Sequence, residues 1–408
     1  MEYNSLITIV VACIASLIAV HWVYFKVLKI AKMKNLVDNP NARKLQKTPV
    51  PVMGGVAVFF GMLVGIAAGV IYNSLMHTEL IVPQYTIIAA MSVMLFVGSI
   101  DDMIGLSPKS RFVIEIITIL GIVGGTGGCI DSLHGLWGIG AFSWWIAVPL
   151  TVVGCVGIIN AINMIDGVNG LSSSLCILCN VLFGTAFAYS GQFYHAVINY
   201  AMAASLLPFF MHNMFGKSSK MFIGDAGTMV MGTLMSFDVI QILRSDTSAE
   251  WMAYANQGMC LVAMTLAVMS VPVADTLRVM TMRILHGRSP FSPDRTHLHH
   301  KLLEYSYSHF MTTSCEFIAA VLVVLAWAVS YNLKASIDVQ MYVVLAAAAI
   351  VVWGSYWFLA RNKTMHVGVA YRIRRYFANG KKDGEKKWWI RMQRWVDSGE
   401  EEMEEEID

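Results

Sequence analysis

Eleven stretches of mostly apolar residues recur along the chain, near 5–25, 52–72, 84–100, 112–130, 144–163, 171–190, 194–213, 226–243, 254–276, 315–333 and 339–360. A helix needs about 20 such residues to cross a bilayer, and a backbone in hydrocarbon must satisfy its own hydrogen bonds. The expected fold is therefore an all-α polytopic membrane protein with about 11 transmembrane helices. Composition excludes a water-soluble globule: 56% of residues are hydrophobic, 14% are charged and the mean hydropathy is +0.59. A transmembrane domain over 1–360 and a tail over 361–408 account for the whole length.

Short cytoplasmic loops carry an excess of Lys and Arg. With the N-terminus outside, the inner segments 26–51, 101–111, 164–170, 214–225, 277–314 and 361–408 hold 27 of the 29 Lys and Arg residues. Only Arg244 and Lys334 are left outside, so the C-terminus is expected in the cytoplasm. The first apolar stretch lacks a basic leader and a small-residue cleavage site, and it reads as a retained helix. Seven scattered cysteines imply no disulfide framework. Cys176 and Cys179 have C-x-x-C spacing but no second pair, which suits buried small hydrophobes better than zinc.

The outer loops are bland, whereas the inner ones concentrate Asp, Asn, His, Lys and Arg between turn-forming Gly and Pro. Asp101 and Asp102 end one helix, followed by Gly105, Leu106, Lys109 and Arg111. Adjacent carboxylates repel, and a divalent cation or a shared proton relieves them; two solvated carboxylates at a helix end is the plainer reading. The run Asn160–Leu171 places Asn160, Asn163, Asp166 and Asn169 around Gly167 and Gly170. Such oxygen donors suit a hard cation, and the glycines allow close approach of a ligand; a tight turn between two helices would also use them.

Phe222–Thr228 contains Asp225 at the cytoplasmic start of a helix, where free amides and the helix dipole can hold a phosphate. Asp225 can ligate magnesium or simply cap the helix. The loop Arg288–Lys301 carries Arg295, His297, His299 and His300, donors for a diphosphate or a general acid, with zinc binding and a solvated loop as alternatives. Together these segments put carboxylates, amides and cations on one membrane face, as metal-assisted transfer of a diphosphate group requires.

These strings resemble the polyprenyl-phosphate N-acetylhexosamine-1-phosphate transferases. The matching residues are Asp101–Leu106 with Lys109, Asn160–Leu171, Phe222–Thr228 and Pro293–His300, with Pro49–Pro51 and Gly54–Gly55 ahead of them. The resemblance implies transfer of an N-acetylhexosamine-1-phosphate, GlcNAc-1-phosphate first among them, from a UDP-sugar to undecaprenyl or another polyprenyl phosphate, with release of UMP. It implies Mg²⁺, with Mn²⁺ as a substitute, held by Asp225 and Asn163. Asp101 and Asp102 would bind or orient the metal and the lipid phosphate, and Asp166 matches a position of metal binding or catalysis. Lys109, Arg295 and His297 would grip the diphosphate, while Asn160, Gly167, Asn169, Gly170, His299 and His300 would border the substrate. Asp275 and Asp294 match family positions without an assigned role.

The same resemblance implies a multi-pass protein of the bacterial inner membrane with a cytoplasmic active site, no nucleic-acid partner, and room for a homodimer. Gly105 after the Asp pair and Leu298 among the histidines depart from the branch that transfers phospho-MurNAc-pentapeptide, which stands as the alternative. A lipid-linked sugar transporter is the rival from another class. It would place polar residues near the midplane of several helices, and no internal repeat accompanies this chain.

Other charges read as structural. Glu115 lies one turn beyond Arg111, and Asp238 lies about 20 Å up a helix from Asp225. His195 and His212 read as polar groups satisfied by neighbouring helices. Lys386–Val396 spaces Trp388, Trp389, Met392, Trp395 and Val396 along an amphipathic face suited to the headgroup region, and Glu400–Glu406 reads as a disordered acidic tail.

Overall fold

A computed structural model describes residues 3–38, 48–76, 85–290, 295–305, 308–362 and 386–405. Among these residues the chain is almost entirely helical: α1 (Tyr3–Met33), α2 (Gly54–Leu75), α3 (Tyr85–Ile104), α4 (Pro108–Thr126), α5 (Trp144–Met164), α6 (Leu171–Tyr189), α7 (Phe193–Phe215) and α8 (Gly224–Leu243). Then follow α9 (Ala249–Asn256), α10 (Leu261–Val268), α11 (Ser270–Leu285), α12 (Leu298–Glu304), α13 (His309–Asn332), α14 (Ile337–Ala348), α15 (Ser355–Asn362) and α16 (Lys387–Glu405). A two-residue antiparallel pair, β1 (Val37–Asp38) and β2 (Val50–Pro51), closes the α1–α2 loop.

Nine helices among the described residues are long and apolar enough to cross a membrane, and α10 with α11 adds a tenth if the bent pair is one span. The stretch 112–130 is α4, which starts earlier, at Pro108, and so takes Lys109, Arg111 and Glu115 into one helix. The stretch 254–276 is a correction to the expected straight span. It divides into α9, α10 and α11, with an 83° bend between the last two. Pro272 has no N–H to offer the Val268 carbonyl, and Cys179 Sγ donates to that carbonyl instead at 3.3 Å. All seven cysteines are free.

The whole 18-residue apolar window of α8 is buried, so α8 is the axis on which the bundle is assembled. Its N-terminal start is gripped by glycines. A Cβ at Gly55 of α2 would collide with the Gly227 backbone, and one at Gly98 of α3 with the Ala226 backbone. Small residues let helices approach in lipid, where no hydrophobic driving force separates helix from solvent. This close packing fixes the ends of α2, α3 and α8 against one another, and the site is built on those ends.

Two further expectations change. The acidic run is not a disordered tail as far as Glu405, because α16 continues through it and Glu400 pairs with Lys32. Among the described residues His195 Nε2 has no hydrogen-bond partner; its ring is held between Phe187 and Phe237, with centroids at 4.9 and 5.4 Å. His212 does find a partner, Ser219 Oγ at 3.2 Å.

Candidate active site

One cavity of about 600 Å³ opens where the ends of α3, α5 and α7 meet the start of α8. Its wall includes Asp101, Asp102, Asn163, Asp166, Gly167, Asn169, Asp225 and His300, so four segments far apart in sequence converge on one space. Asp38, Asn213, Lys220, Phe222 and His309 complete its polar and aromatic rim.

The start of α8 explains why Asp102 stands where it does. Asp102 Oδ1 accepts the Asp225 amide at 2.8 Å and Oδ2 accepts the Ala226 amide at 3.1 Å. A carboxylate from α3 thus occupies the positive end of the α8 dipole, a favourable place for negative charge. Gly224 makes room for it: φ is +73°, and a Cβ there would collide with Asp102 Oδ2. The expectation that these amides wait free for a substrate phosphate is therefore revised, since a side chain already fills them.

Arg111 ties the acidic groups together. Its NH1 lies 3.3 Å from Asp101 Oδ2 and 3.2 Å from Asp225 Oδ1, and its Nε lies 3.3 Å from Glu115 Oε1. Glu115 Oε2 in turn accepts Asn160 Nδ2 at 2.6 Å. Asp225 also receives Asn163 Nδ2, whose second partner is Thr228 Oγ1 at 2.8 Å. A planar guanidinium can bridge several carboxylates in this way, which an ammonium cannot reproduce. The i,i+4 pairing of Arg111 with Glu115 is present, and it is one arm of a larger network.

The turn after α5 forms the next wall. Ser172 Oγ donates to Asp166 Oδ1 at 2.5 Å, the Gly170 amide donates to Asn213 Oδ1 at 2.6 Å, and the Asn169 amide donates to His309 Nδ1 at 3.2 Å. Burial pushes the Asp166 carboxyl up to about 8, with the charges of Asp225 and Asp102 adding to the rise.

Behind this turn lies the histidine loop. His299 packs its Nε2 against Gly167, and His300 lies beside it with ring centroids 4.3 Å apart. Burial and the neighbouring positive groups lower His300 to about 4, while burial holds His299 well below the usual histidine range. Both rings are neutral at pH 7. His297 does not line the cavity; its Nδ1 lies 2.8 Å from Asp275 Oδ2. Asp275 also takes Arg278 at 2.7 Å and the Leu298 amide at 3.2 Å, anchoring the start of α12 to α11.

The structure therefore gathers Asp101, Asp102, Asn163, Asp166, Gly167, Asn169, Asp225 and His300 at one cavity. Asn160, Gly170, His297 and His299 stand one layer behind it. Lys109 and Arg295 are exposed and do not line it, and Asp294 lies outside the described residues. Sequence reasoning missed Lys220, Asn213 and His309, and it read Arg111 only as a partner of Glu115. Lys220, two residues before Phe222 and just ahead of the start of α8, carried the most legible of these signals.

The donor set fits a hard cation. Asp225, Asp101, Asp166 and Asn163 offer oxygen atoms around one cavity, while the described residues contain no group of three His, Cys, Asp or Glu able to cage a metal alone. Magnesium is commonly held by one or two carboxylates and by substrate phosphates, so a sparse protein shell suits it and would not suit structural zinc.

Residues 84–243 match the family model described as glycosyl transferase family 4. Over 287 residues the chain is 31% identical to the undecaprenyl-phosphate alpha-N-acetylglucosaminyl 1-phosphate transferase of Escherichia coli K12, covering 69% of this chain and 72% of that protein. It is 30% identical over 291 residues to the protein of the same name in Salmonella typhi, covering 70% and 73%. Against the probable undecaprenyl-phosphate N-acetylglucosaminyl 1-phosphate transferase of Bacillus subtilis 168 it is 31% identical over 313 residues, covering 76% and 81%. With that identity sustained over more than two thirds of each relative, the chain belongs to the polyprenyl-phosphate N-acetylhexosamine-1-phosphate transferases of glycosyl transferase family 4.

Proposed function

We propose that the chain transfers GlcNAc-1-phosphate from UDP-GlcNAc to undecaprenyl phosphate, releasing UMP, at the cytoplasmic face of a bacterial inner membrane. The observation that carries this reading is the convergence of Asp101, Asp102, Asn163, Asp166 and Asp225 with Arg111 and Lys220 at the ends of membrane-length helices. The activity for which the relatives are named supplies the substrates. Eleven crossings follow if α4 and the bent α10–α11 pair each count as one, and the Lys and Arg distribution then puts the cavity and the C-terminus inside.

A lipid phosphate oxygen attacks the sugar-linked phosphorus of the nucleotide sugar, and the bond to the UMP oxygen breaks. A phosphate monoester loses its second proton near pH 6, so the nucleophile needs little activation at neutral pH. Asp225 and Asn163 would hold Mg²⁺, which when bound neutralises diphosphate oxygens and stabilises the leaving phosphate. Arg111 keeps Asp225 and Asp101 oriented, and Lys220 adds positive charge to the cavity wall. Asp102 fixes the start of α8, so Asp225 is presented from a rigid element. Gly167 and Asn169 border the substrate, with His300 as a neutral donor or acceptor.

The test is direct. Purified full-length protein in detergent, given labelled UDP-GlcNAc, undecaprenyl phosphate and Mg²⁺, should release UMP and form a lipid-linked product. Absence of UMP with every UDP-N-acetylhexosamine tried would overturn the reading and leave a transporter as the better account.

A further inference from the structure

The C-terminal helix α16 follows a segment outside the described residues, yet it returns to the bundle and packs beside the cavity. Trp389, Met392 and Val396 form its apolar contact face against Met214 and Phe215 at the end of α7 and Phe310 at the start of α13. The Trp389 and Phe215 ring centroids lie 4.9 Å apart, and those of Trp388 and Phe310 5.5 Å apart. Phe310 adjoins His309, which lines the cavity and accepts the Asn169 amide.

The polar side of this contact falls on the α7–α8 loop. Asp397 Oδ1 and Oδ2 accept the Lys217 amide at 3.1 and 3.2 Å, and Oδ1 also accepts the Ser219 amide at 3.1 Å and Ser219 Oγ at 2.7 Å. Two groups of α1 complete the hold on the same peptide units. Tyr24 donates its hydroxyl to the Ser219 carbonyl at 2.8 Å, and Lys32 donates to the Ser218 carbonyl at 3.0 Å while pairing with Glu400.

The next residue is Lys220, whose side chain lines the cavity. Among the described residues no ion pair joins its ammonium to a carboxylate, and the ammonium lies 5.8 Å from the centroid of the Phe222 ring. With no side-chain partner to hold it, its position is set by the backbone that carries it. That backbone is irregular between α7 and α8, and its amides at 217 and 219 are satisfied by Asp397.

We propose that Asp397 is a positioning residue for the transfer reaction: it latches the 216–223 loop to the C-terminal helix and so sets the Lys220 ammonium in the cavity wall, where it meets the diphosphate of the nucleotide sugar. This deepens the proposed function and rests on it for the identity of the substrate. Charge-assisted bonds to backbone N–H groups are the stronger kind, and here one carboxylate satisfies two amides and a hydroxyl.

The experiment uses the full-length protein in detergent, with UMP release and backbone hydrogen exchange measured on Asp397→Ala, Asp397→Asn, Lys220→Met and the Asp397→Ala/Lys220→Met double variant. Asp397→Ala should raise KM for UDP-GlcNAc about five- to tenfold while kcat stays within about twofold, the pattern of lost substrate binding. Lys220→Met should raise KM similarly, and the double variant should be no worse than Lys220→Met alone, because both changes remove one interaction. Amides of Lys217 and Ser219 should exchange faster in Asp397→Ala, with α8 unchanged. Asp397→Asn keeps one acceptor oxygen, so it should shift both readouts the same way by less and serves if the alanine variant fails to fold.

Unchanged exchange at 217 and 219 would refute the latch. Faster exchange with an unaltered KM, or a double variant whose effects multiply, would refute its link to Lys220. Should the wild-type protein turn over no UDP-sugar, the proposed function falls, while the exchange measurement still decides the latch.

Discussion

Two carboxylates on one helix show how position decides what a charge is for. Asp225 opens α8 with a side chain 31% exposed, bonded to Arg111 and Asn163. Asp238, thirteen residues further along, is fully buried, with Asn199 Nδ2 at 3.1 Å as its partner and, among the described residues, none for Oδ2. The first sits among cations and donors at the mouth of a cavity, where water and substrate can reach it. The second sits among helices, where a polar pair joins α7 to α8 and an ionised carboxylate would lack compensation. Equal chemistry at two depths thus gives a candidate catalytic group and a packing group.

The largest effect should come from Asp225. Asp225→Ala should lower the rate of UMP release about 10²–10³-fold, the scale of removing one group that stabilises developing charge. The protein should still elute as a folded particle, because Asp102 and not Asp225 supplies the cap on α8. Near-normal activity with Mg²⁺ would break the comparison at its functional end.

Arg111 comes next. Arg111→Lys keeps the charge but loses the geometry that reaches Asp101, Glu115 and Asp225 together, and it should cost about 10–100-fold in kcat/KM, as loss of an orienting partner does elsewhere. If lysine sustains full activity, the bridge is a matter of charge alone. That result would separate electrostatics from orientation.

Arg111 also marks where sequence reasoning stops. The apolar pattern fixes which helix ends share a membrane face, so Asp101, Asn163, Asp166 and Asp225 could be grouped before any coordinates. Contacts within a helix were equally legible, as with Glu115 four residues from Arg111. The reach from Arg111 to Asp225 crosses 114 positions, and that from Asp102 to the α8 amides crosses more than 120. Such pairings depend on how α3, α4 and α8 pack, which no local pattern encodes. The 83° break before Pro272 escaped for a related reason, since proline in a membrane helix is tolerated whenever a neighbour satisfies the freed carbonyl.

A pH profile should give a smaller effect. Burial lowers the Lys220 ammonium from 10.5 to about 8, so it is charged below that pH and neutral above it. If its charge aids substrate binding, kcat/KM should fall about three- to fivefold between pH 7 and 9, approaching the loss that Lys220→Met causes outright. Asp166 titrates near the same pH in the opposite charge sense, from neutral to negative. Lys220→Met should flatten the profile, whereas Asp166→Asn should retain the fall. A profile that flattens only in Asp166→Asn would assign the titration to the carboxyl.

The smallest effect on turnover belongs to Asp238, and it tests the other half of the comparison. Asp238→Asn preserves shape and a hydrogen-bonding oxygen toward Asn199, so UMP release should stay within about twofold, while the apparent melting temperature changes by only a few degrees, consistent with interhelical hydrogen bonds in membranes of about 0.6 kcal/mol. Asp238→Leu removes the acceptor for Asn199 Nδ2, although that amide still donates to the His195 carbonyl at 3.0 Å; it should lower the melting temperature further and again spare turnover. Activity that collapses in Asp238→Asn while the fold is retained would mean that the deep carboxylate communicates with the cavity. Depth along α8 would then no longer separate packing from chemistry.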